Sequence, residues 1–465
     1  MRPFETLALI LTALSLLPLF LPVSHRTRRL RWLPHSAILA LLLHLFREGY
    51  RWQMLPAYVL VLALNVHTLL TLIRSQPVLR TRGLRAAATL FGLVWLAFAV
   101  ALPILLPVPR PLPPTGPYGV GTTAVHIVDA GRPEPFSTEV EHRELMVQIW
   151  YPALISPDSP RAPYVEGTDV VGPAIASRFG LPSFLLGHLD LVRTAAYLDA
   201  PATTDGPFPL LVFSHGLRGL RVQNTSLMQQ LASHGYVVAA VDHPYANLLT
   251  VFPEERVVFY DHQAVMPPEM TVTQAGTRLI DVWAHDIAFV VQQLAQWSQT
   301  PDHPLRGHLD PTRLGLLGHS TGGGAAVQAC AALPQCDAAL ALDGWIEPLA
   351  PQILQDPYRP TLMLISAPDW LGAGNRALGE RLYRQRQGDG YLLTVAGTVH
   401  FDYTDIPLMS PLTPFIGFSG GVDGPRVVTL VNDYALAFFD QALKQQPFPL
   451  LLGPSAAYPE VTFAP

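Results

Sequence analysis

Leu314-Gly-Leu-Leu-Gly-His-Ser-Thr-Gly-Gly-Gly-Ala-Ala326 opens as a short apolar run and closes in small, helix-compatible residues. The run has the length and composition of a buried strand. Gly318-His319-Ser320-Thr321-Gly322 then reads G-x-S-x-G, so strand, motif and helix stand in the order that a nucleophile elbow requires. Such a turn must be sharp enough to push a serine hydroxyl into an open site. Side chains at Gly318 and Gly322 would collide with the neighbouring strand and helix. The helix that starts after Ser320 aims its N–H groups and positive dipole end at any developing oxyanion.

Outward from this turn the chain alternates. Leu210–Phe213 and Tyr236–Val241 read as strands, and Thr225–His234 and Thr277–Trp297 as helices. Beyond the elbow, strands are expected at Ala338–Leu342, Thr361–Ile365 and Tyr391–Val395, with a closing helix over Val427–Leu443. Thr123–Asp129 and Leu145–Trp150 precede them all as a hairpin at one sheet edge. Strands alternating with helices predict a doubly wound, mostly parallel sheet, which with the elbow is the α/β-hydrolase arrangement. Tyr151–Pro207 is Pro-rich, with a helix expected near Leu189–Leu198; it is long for a connection and predicts a lid or substrate-site insertion. Tyr245–Thr273 is a second excursion, with a hairpin at Arg256–Tyr260.

A serine needs a base, and the base an acid to orient it. With the chain order Ser, acid, His, the candidate base among 16 histidines is His400, in Gly397-Thr-Val-His-Phe-Asp402, past the last strand and before the closing helix. Asp343 follows the strand after the elbow helix, and Asp369 follows the next strand. Both lie at strand ends, where sites of such sheets form, and position alone leaves them equal. An oxyanion needs two N–H donors. Thr321, directly after the serine, supplies one. Leu217 in His215-Gly-Leu-Arg-Gly219 supplies the other, its flanking glycines letting the main chain approach the acyl group. No metal or organic cofactor is implied. Cys330 and Cys336 form no metal-ligand pattern; they read as two separate buried thiols, with a disulfide as the alternative in an oxidising compartment.

The remaining N-terminal sequence is of another kind. The 465 residues are 49% hydrophobic and only 14% charged, against about 25% charged in an ordinary soluble domain. Phe4–Val23, Trp32–Phe46, Trp52–Ile73 and Ala86–Val108 are apolar segments bracketed by arginines, and they predict a bundle of about four transmembrane helices over residues 1–108. The second is the shortest. Arg26, Arg28, Arg29 and Arg31 crowd the first loop and Arg74, Arg80, Arg82 and Arg85 the third, whereas the second holds Arg47 and Arg51. Positive-inside then places loops one and three in the cytoplasm and everything after Val108 on the extracytoplasmic side. His44, Asn65 and His67 lie within the spans; a proton or ion path is one reading, and polar contacts between helices are the preferred one, since no acidic partner accompanies them. Residues 109–117, Pro-rich and stiff, link this region to a catalytic domain at 118–465. A net charge of −5 gives no basis for a nucleic-acid partner.

Phe213-Ser-His-Gly-Leu-Arg-Gly-Leu-Arg221, Gly318-His-Ser-Thr-Gly-Gly323, Ala341-Leu-Asp-Gly-Trp345 and Gly397-Thr-Val-His400, in this order, resemble the platelet-activating factor acetylhydrolases, the lipoprotein-associated phospholipase group, and their bacterial relatives. The likeness runs from Leu145 to about His400 and includes Val147-Gln-Ile-Trp-Tyr-Pro152. It implies calcium-independent hydrolysis of short or oxidised sn-2 acyl chains of phospholipids. It also implies Asp343 as the acid and Leu217 as an oxyanion donor. Thr321 stands where an aromatic residue is commoner, and the membrane segments are no part of the family's core. The expectation is a membrane-anchored serine esterase acting on a lipid or small ester. A general carboxylesterase, lipase or polyesterase is the alternative among enzymes, and a catalytically inactive membrane binding or sensor protein is the alternative outside them.

Overall fold

The computed structural model describes residues 1–20, 27–74, 78–79, 81–178 and 180–464. Arg26, Arg80 and the end of the first apolar segment lie outside these. The chain forms two compact units. One comprises Met1–Pro109, Gly172–Val192 and Met409–Leu412; the other comprises Arg110–Val171, Arg193–Leu408 and Thr413–Pro465.

In the first unit, α1 (Pro3–Phe20), α2 (Leu33–Glu48), α3 (Leu55–Arg74) and α4 (Arg82–Leu105) carry apolar side chains all round, many of them exposed. Two helices among the described residues, Trp52–Arg74 and Arg82–Leu105, are long and apolar enough to cross a membrane. Glu5 of α1 meets Arg51 through two bonds of 2.7 Å, and Arg51 also donates to the Leu106 carbonyl at 3.0 Å. Both charges are buried, a geometry that holds only when the pair is bidentate and fully bonded. The Glu48 carboxylate accepts the Phe4 N–H at 2.8 Å, one of the orphan donors at the start of α1. His44 does have an acidic partner: its Nδ1 lies 2.9 Å from Glu48 Oε2. The sequence reading missed it by ending the second segment at Phe46, two residues short. Asn65 meets His35 Nδ1 at 2.7 Å, an interhelical contact.

The second unit is built on a mixed sheet. Its opening strands β1 (Gly119–Pro133) and β2 (His142–Ala153) pair antiparallel. β3 (Arg161–Pro163) and β4 (Arg193–Leu198) follow, with α5 (Thr168–Arg178), most of which belongs to the first unit, between them in sequence, and then β5 (Phe208–Ser214), α6 (Thr225–Ser233) and β6 (Val237–Asp242). β7 (Leu249–Val251) and β8 (Val257–Phe259) make the small separate hairpin. After α7 (His262–Val265) and α8 (Val272–Trp297) come β9 (Leu309–His319), α9 (Thr321–Ala332), β10 (Cys336–Leu342), β11 (Thr361–Ser366), α10 (Ala373–Arg384), β12 (Gly390–Val395), α11 (Gly424–Lys444) and β13 (Val461–Phe463). The strand order is β13-β12-β11-β10-β9-β5-β6-β2-β1-β4-β3. The six strands from β12 to β6 are parallel.

Two expectations fail at the margins. The opening hairpin is not an edge, because β4 pairs parallel with β1 outside it. The helix expected near Leu189–Leu198 is a 3-10 turn over Ser183–Leu191 followed by β4; the run Thr194-Ala-Ala-Tyr197 extends because a partner strand is available to it, and tertiary pairing overrides helix propensity.

The centre of the sheet is apolar on both faces. Leu314 and Leu316 of β9 pack into the cluster with Leu279, Trp283 and Ile287 of α8. A side chain at Gly315 would meet Phe439 of α11. Successive strand residues point to opposite faces, so α8 and α11 cover opposite sides. Cys330, at the end of α9, and Cys336, at the start of β10, are joined in a disulfide with Cα atoms 5.2 Å apart, one of the two readings that the sequence leaves open. The short α9–β10 turn brings them within reach of each other.

Candidate active site

Three parallel strands place the site. In register, His319 of β9 lies beside Leu342 of β10, and Leu342 beside Ile365 of β11. The residues that follow, Ser320 and Asp343, therefore emerge at neighbouring strand ends. Ser320 holds φ 56° and ψ −122°, a conformation costly for any residue with a Cβ. Its surroundings over-determine it. The Ser320 N–H donates to the Leu342 carbonyl at 3.0 Å, and its carbonyl accepts from Trp345 at 2.8 Å and Gly323 at 3.0 Å. A Cβ at Gly318 would strike the backbone of Gly322, and one at Gly322 the carbonyls of Ser214 and His215. Both glycines are thus required by close approach.

Asp343 is fully buried and also has a positive φ, 46°. Its Oδ1 accepts the Ala367 N–H at 2.8 Å, and its Oδ2 lies 2.5 Å from His400 Nδ1. A carboxylate only accepts, so Nδ1 carries the proton and Nε2 of a neutral His400 is left as the basic nitrogen. Asp369 is exposed; its backbone carbonyl closes a turn with Gly372. The structure therefore brings Asp343 and not Asp369 to His400. The loop after β5 reaches the elbow: a methyl group built on Gly216 would stand 3.2 Å from Ser320 Cβ. Among the described residues, no acceptor takes up the backbone N–H of Leu217 or Thr321.

His319 was read only as a filler of the motif. Its ring lies 4.6 Å from that of His400, and its Nε2–H donates to the His400 carbonyl at 3.0 Å. The Gln223 amide faces its Nδ1 at 3.3 Å. Burial, and then His400, push its pKa well below the ordinary value. It stays neutral and braces the histidine loop without opposing charge on His400. Nothing but its place beside the serine marks it in the sequence.

Behind that loop lies Asp405, buried, accepting the Ser226 N–H and the Tyr164 hydroxyl, both at 3.1 Å. Burial raises its pKa from 3.8 to about 7, against the lowering by its donors. The folded chain therefore binds this proton more tightly than the unfolded chain, and stability falls as pH rises from about 4 to 7, by at most about 4 kcal/mol. The Asp405→Asn variant keeps an acceptor for both donors and loses the titration. Melting curves between pH 4 and 7 should show wild type losing stability relative to this variant; parallel curves would refute the assignment.

An elbow serine, a carboxylate-bound imidazole and free backbone donors at the ends of parallel strands define a hydrolase of the α/β-hydrolase type. The sequence profile of the family described as platelet-activating factor acetylhydrolase, isoform II, matches residues 113–256 and 291–448. The chain belongs to that family, and family and fold make it an ester hydrolase of the esterase or phospholipase type. The platelet-activating factor acetylhydrolase of Cavia porcellus is 24% identical over 365 residues, covering 70% of this chain and 77% of the relative. A probable 1-alkyl-2-acetylglycerophosphocholine esterase of Arthroderma benhamiae is 23% identical, covering 80% of this chain and 97% of the relative. Among solved structures, a ferulic acid esterase from Streptomyces cinnamoneus superposes with a TM-score of 0.66 at 30% identity, over 77% of this chain and 100% of that one.

Proposed function

We propose that this chain is a membrane-anchored serine esterase that removes short or oxidised acyl groups from phospholipids. The observation that carries the mechanism is the Asp343–His400 contact of 2.5 Å at the strand end next to Ser320. Ser320 Oγ attacks the ester carbonyl as His400 Nε2 takes its proton. The N–H groups of Leu217 and Thr321 receive the oxyanion. Collapse expels the alcohol, which takes the proton from His400. Water then repeats the cycle on the acyl-enzyme. Asp343 fixes the tautomer and stabilises the imidazolium. The acyl preference rests on the family. The ferulic acid esterase neighbour favours a second reading, a carboxylesterase with no phospholipid preference. Assays of phospholipids with sn-2 chains of increasing length, against p-nitrophenyl esters of the same acids, decide between them. The first reading expects kcat/KM to fall at least about tenfold beyond short chains on phospholipid. Equal rates on both substrate series would reject it.

The helical unit is proposed as a four-span anchor with the catalytic unit on the extracytoplasmic side. The span lengths of Trp52–Arg74 and Arg82–Leu105 and the arginine alternation support it. The Cys330–Cys336 disulfide suits an oxidising compartment. A reporter active only in the cytoplasm, fused after Pro117, should be silent; activity there would reverse the placement.

A further inference from the structure

Ser214, His243 and Asp286 repeat the triad pattern in the core. Ser214 Oγ lies 2.9 Å from His243 Nε2, and His243 Nδ1 lies 2.8 Å from Asp286 Oδ2. Each is fully buried, so no ester reaches this serine. Arg143 clamps Asp286 through Nε at 3.1 Å and Nη2 at 2.7 Å, and Arg132 adds a bond of 2.8 Å. Trp283 stacks on the His243 ring at 4.2 Å with 8° between planes. A charge-clamped, stacked imidazole of this kind is fixed in place, and it carries its own backbone with it.

That backbone points at the proposed active site. The His243 N–H donates to His215 Nε2 at 3.2 Å. Nε2 is therefore an acceptor, and the proton of His215 sits on Nδ1. Nδ1–H then donates to the Gly216 carbonyl at 2.7 Å, and the Gly219 N–H donates to the same oxygen at 2.7 Å. In a trans peptide the N–H opposes the C=O. With the Gly216 carbonyl held by two donors, the Leu217 N–H of that peptide must face the other way.

We infer that His215, held by the buried Asp286–His243–Ser214 brace, is a positioning residue that locks the Gly216–Leu217 peptide with its N–H presented to the oxyanion. This rests on the reading of Leu217 as an oxyanion donor. Two hydrogen bonds on the carbonyl also polarise the peptide, which strengthens its N–H as a donor. Burial, and then His243, hold the His215 pKa well below its ordinary value, so Nε2 keeps its lone pair.

Asn and Leu are nearly the same shape, and only Asn places a donor where Nδ1 stands. In the full-length enzyme, H215L should lose about 10²-fold in kcat, the cost of one oxyanion donor, with KM within about twofold. H215N should recover about tenfold or more of that loss. An amide-to-ester replacement of the Leu217 N–H tests the donor itself and should cost about the same 10². If the ester variant is impaired while H215L and H215N turn over equally, the positioning role is wrong and the donor stands. If the ester variant is fully active, the Leu217 assignment falls and takes the positioning role with it.

Discussion

Ser320→Ala is expected to abolish covalent labelling by an organophosphonate probe and to lower kcat by about six orders of magnitude, the loss measured when a serine protease gives up its nucleophile. The substitution is small and should leave the fold intact. Ser320 keeps its strained φ of 56° through backbone bonds to Leu342, Trp345 and Gly323, none of which uses the hydroxyl. An alanine inherits all three. Loss of labelling with an unchanged melting temperature therefore isolates the hydroxyl as the reacting group. Labelling that survives would place the nucleophile elsewhere, and Ser214 would not be the substitute, because it is buried with its hydroxyl committed to His243. The residual rate, about 10³–10⁴ over water in the protease case, reports what the oxyanion donors and binding contribute alone.

What the sequence made legible follows a physical divide. The elbow is readable because two close approaches force glycine at 318 and 322, and because a strand, a turn and a helix leave three different patterns in one short stretch. The central strands are readable because burial on both faces leaves continuous apolar runs such as Leu210–Phe213. The insertion is not. β4 extends because β1 lies beside it, and no local pattern announces a partner found at a distance. The brace around His243 is invisible for a similar reason: Arg143, Ser214, His243 and Asp286 come from four separate segments, and each alone reads as an ordinary polar residue. Glu48 shows the cost of segmenting by hydropathy, since the residue that answers His44 sits just past the apolar run. The choice between the two carboxylates was open at the level of spacing, because both follow strands on the same sheet edge.

Asp343→Asn should cost about 10⁴ in kcat, and Asp369→Asn far less. The difference lies in what each carboxylate touches. Asp343 Oδ2 accepts the Nδ1 proton of His400 at 2.5 Å, and its Oδ1 is anchored by the Ala367 N–H at 2.8 Å. With asparagine there, the same backbone bond holds Oδ1 and turns the amide NH₂ toward His400. A donor facing Nδ1 selects the tautomer protonated on Nε2, which cannot take the serine proton. The imidazolium that forms during attack also loses its counter-charge. Those two effects together cost about 10⁴ in the serine proteases, and because they act on the transition state they appear in kcat with KM little changed. The buried bond to Ala367 survives, so the melting temperature should fall only modestly. Asp369 is exposed, and water can solvate whatever replaces its carboxylate. Its variant should therefore stay within about tenfold of wild type. Steady-state kinetics of both variants with one short-chain ester decide the matter. A larger loss at Asp369 would overturn the acid assignment and leave Ser320 and His400 standing.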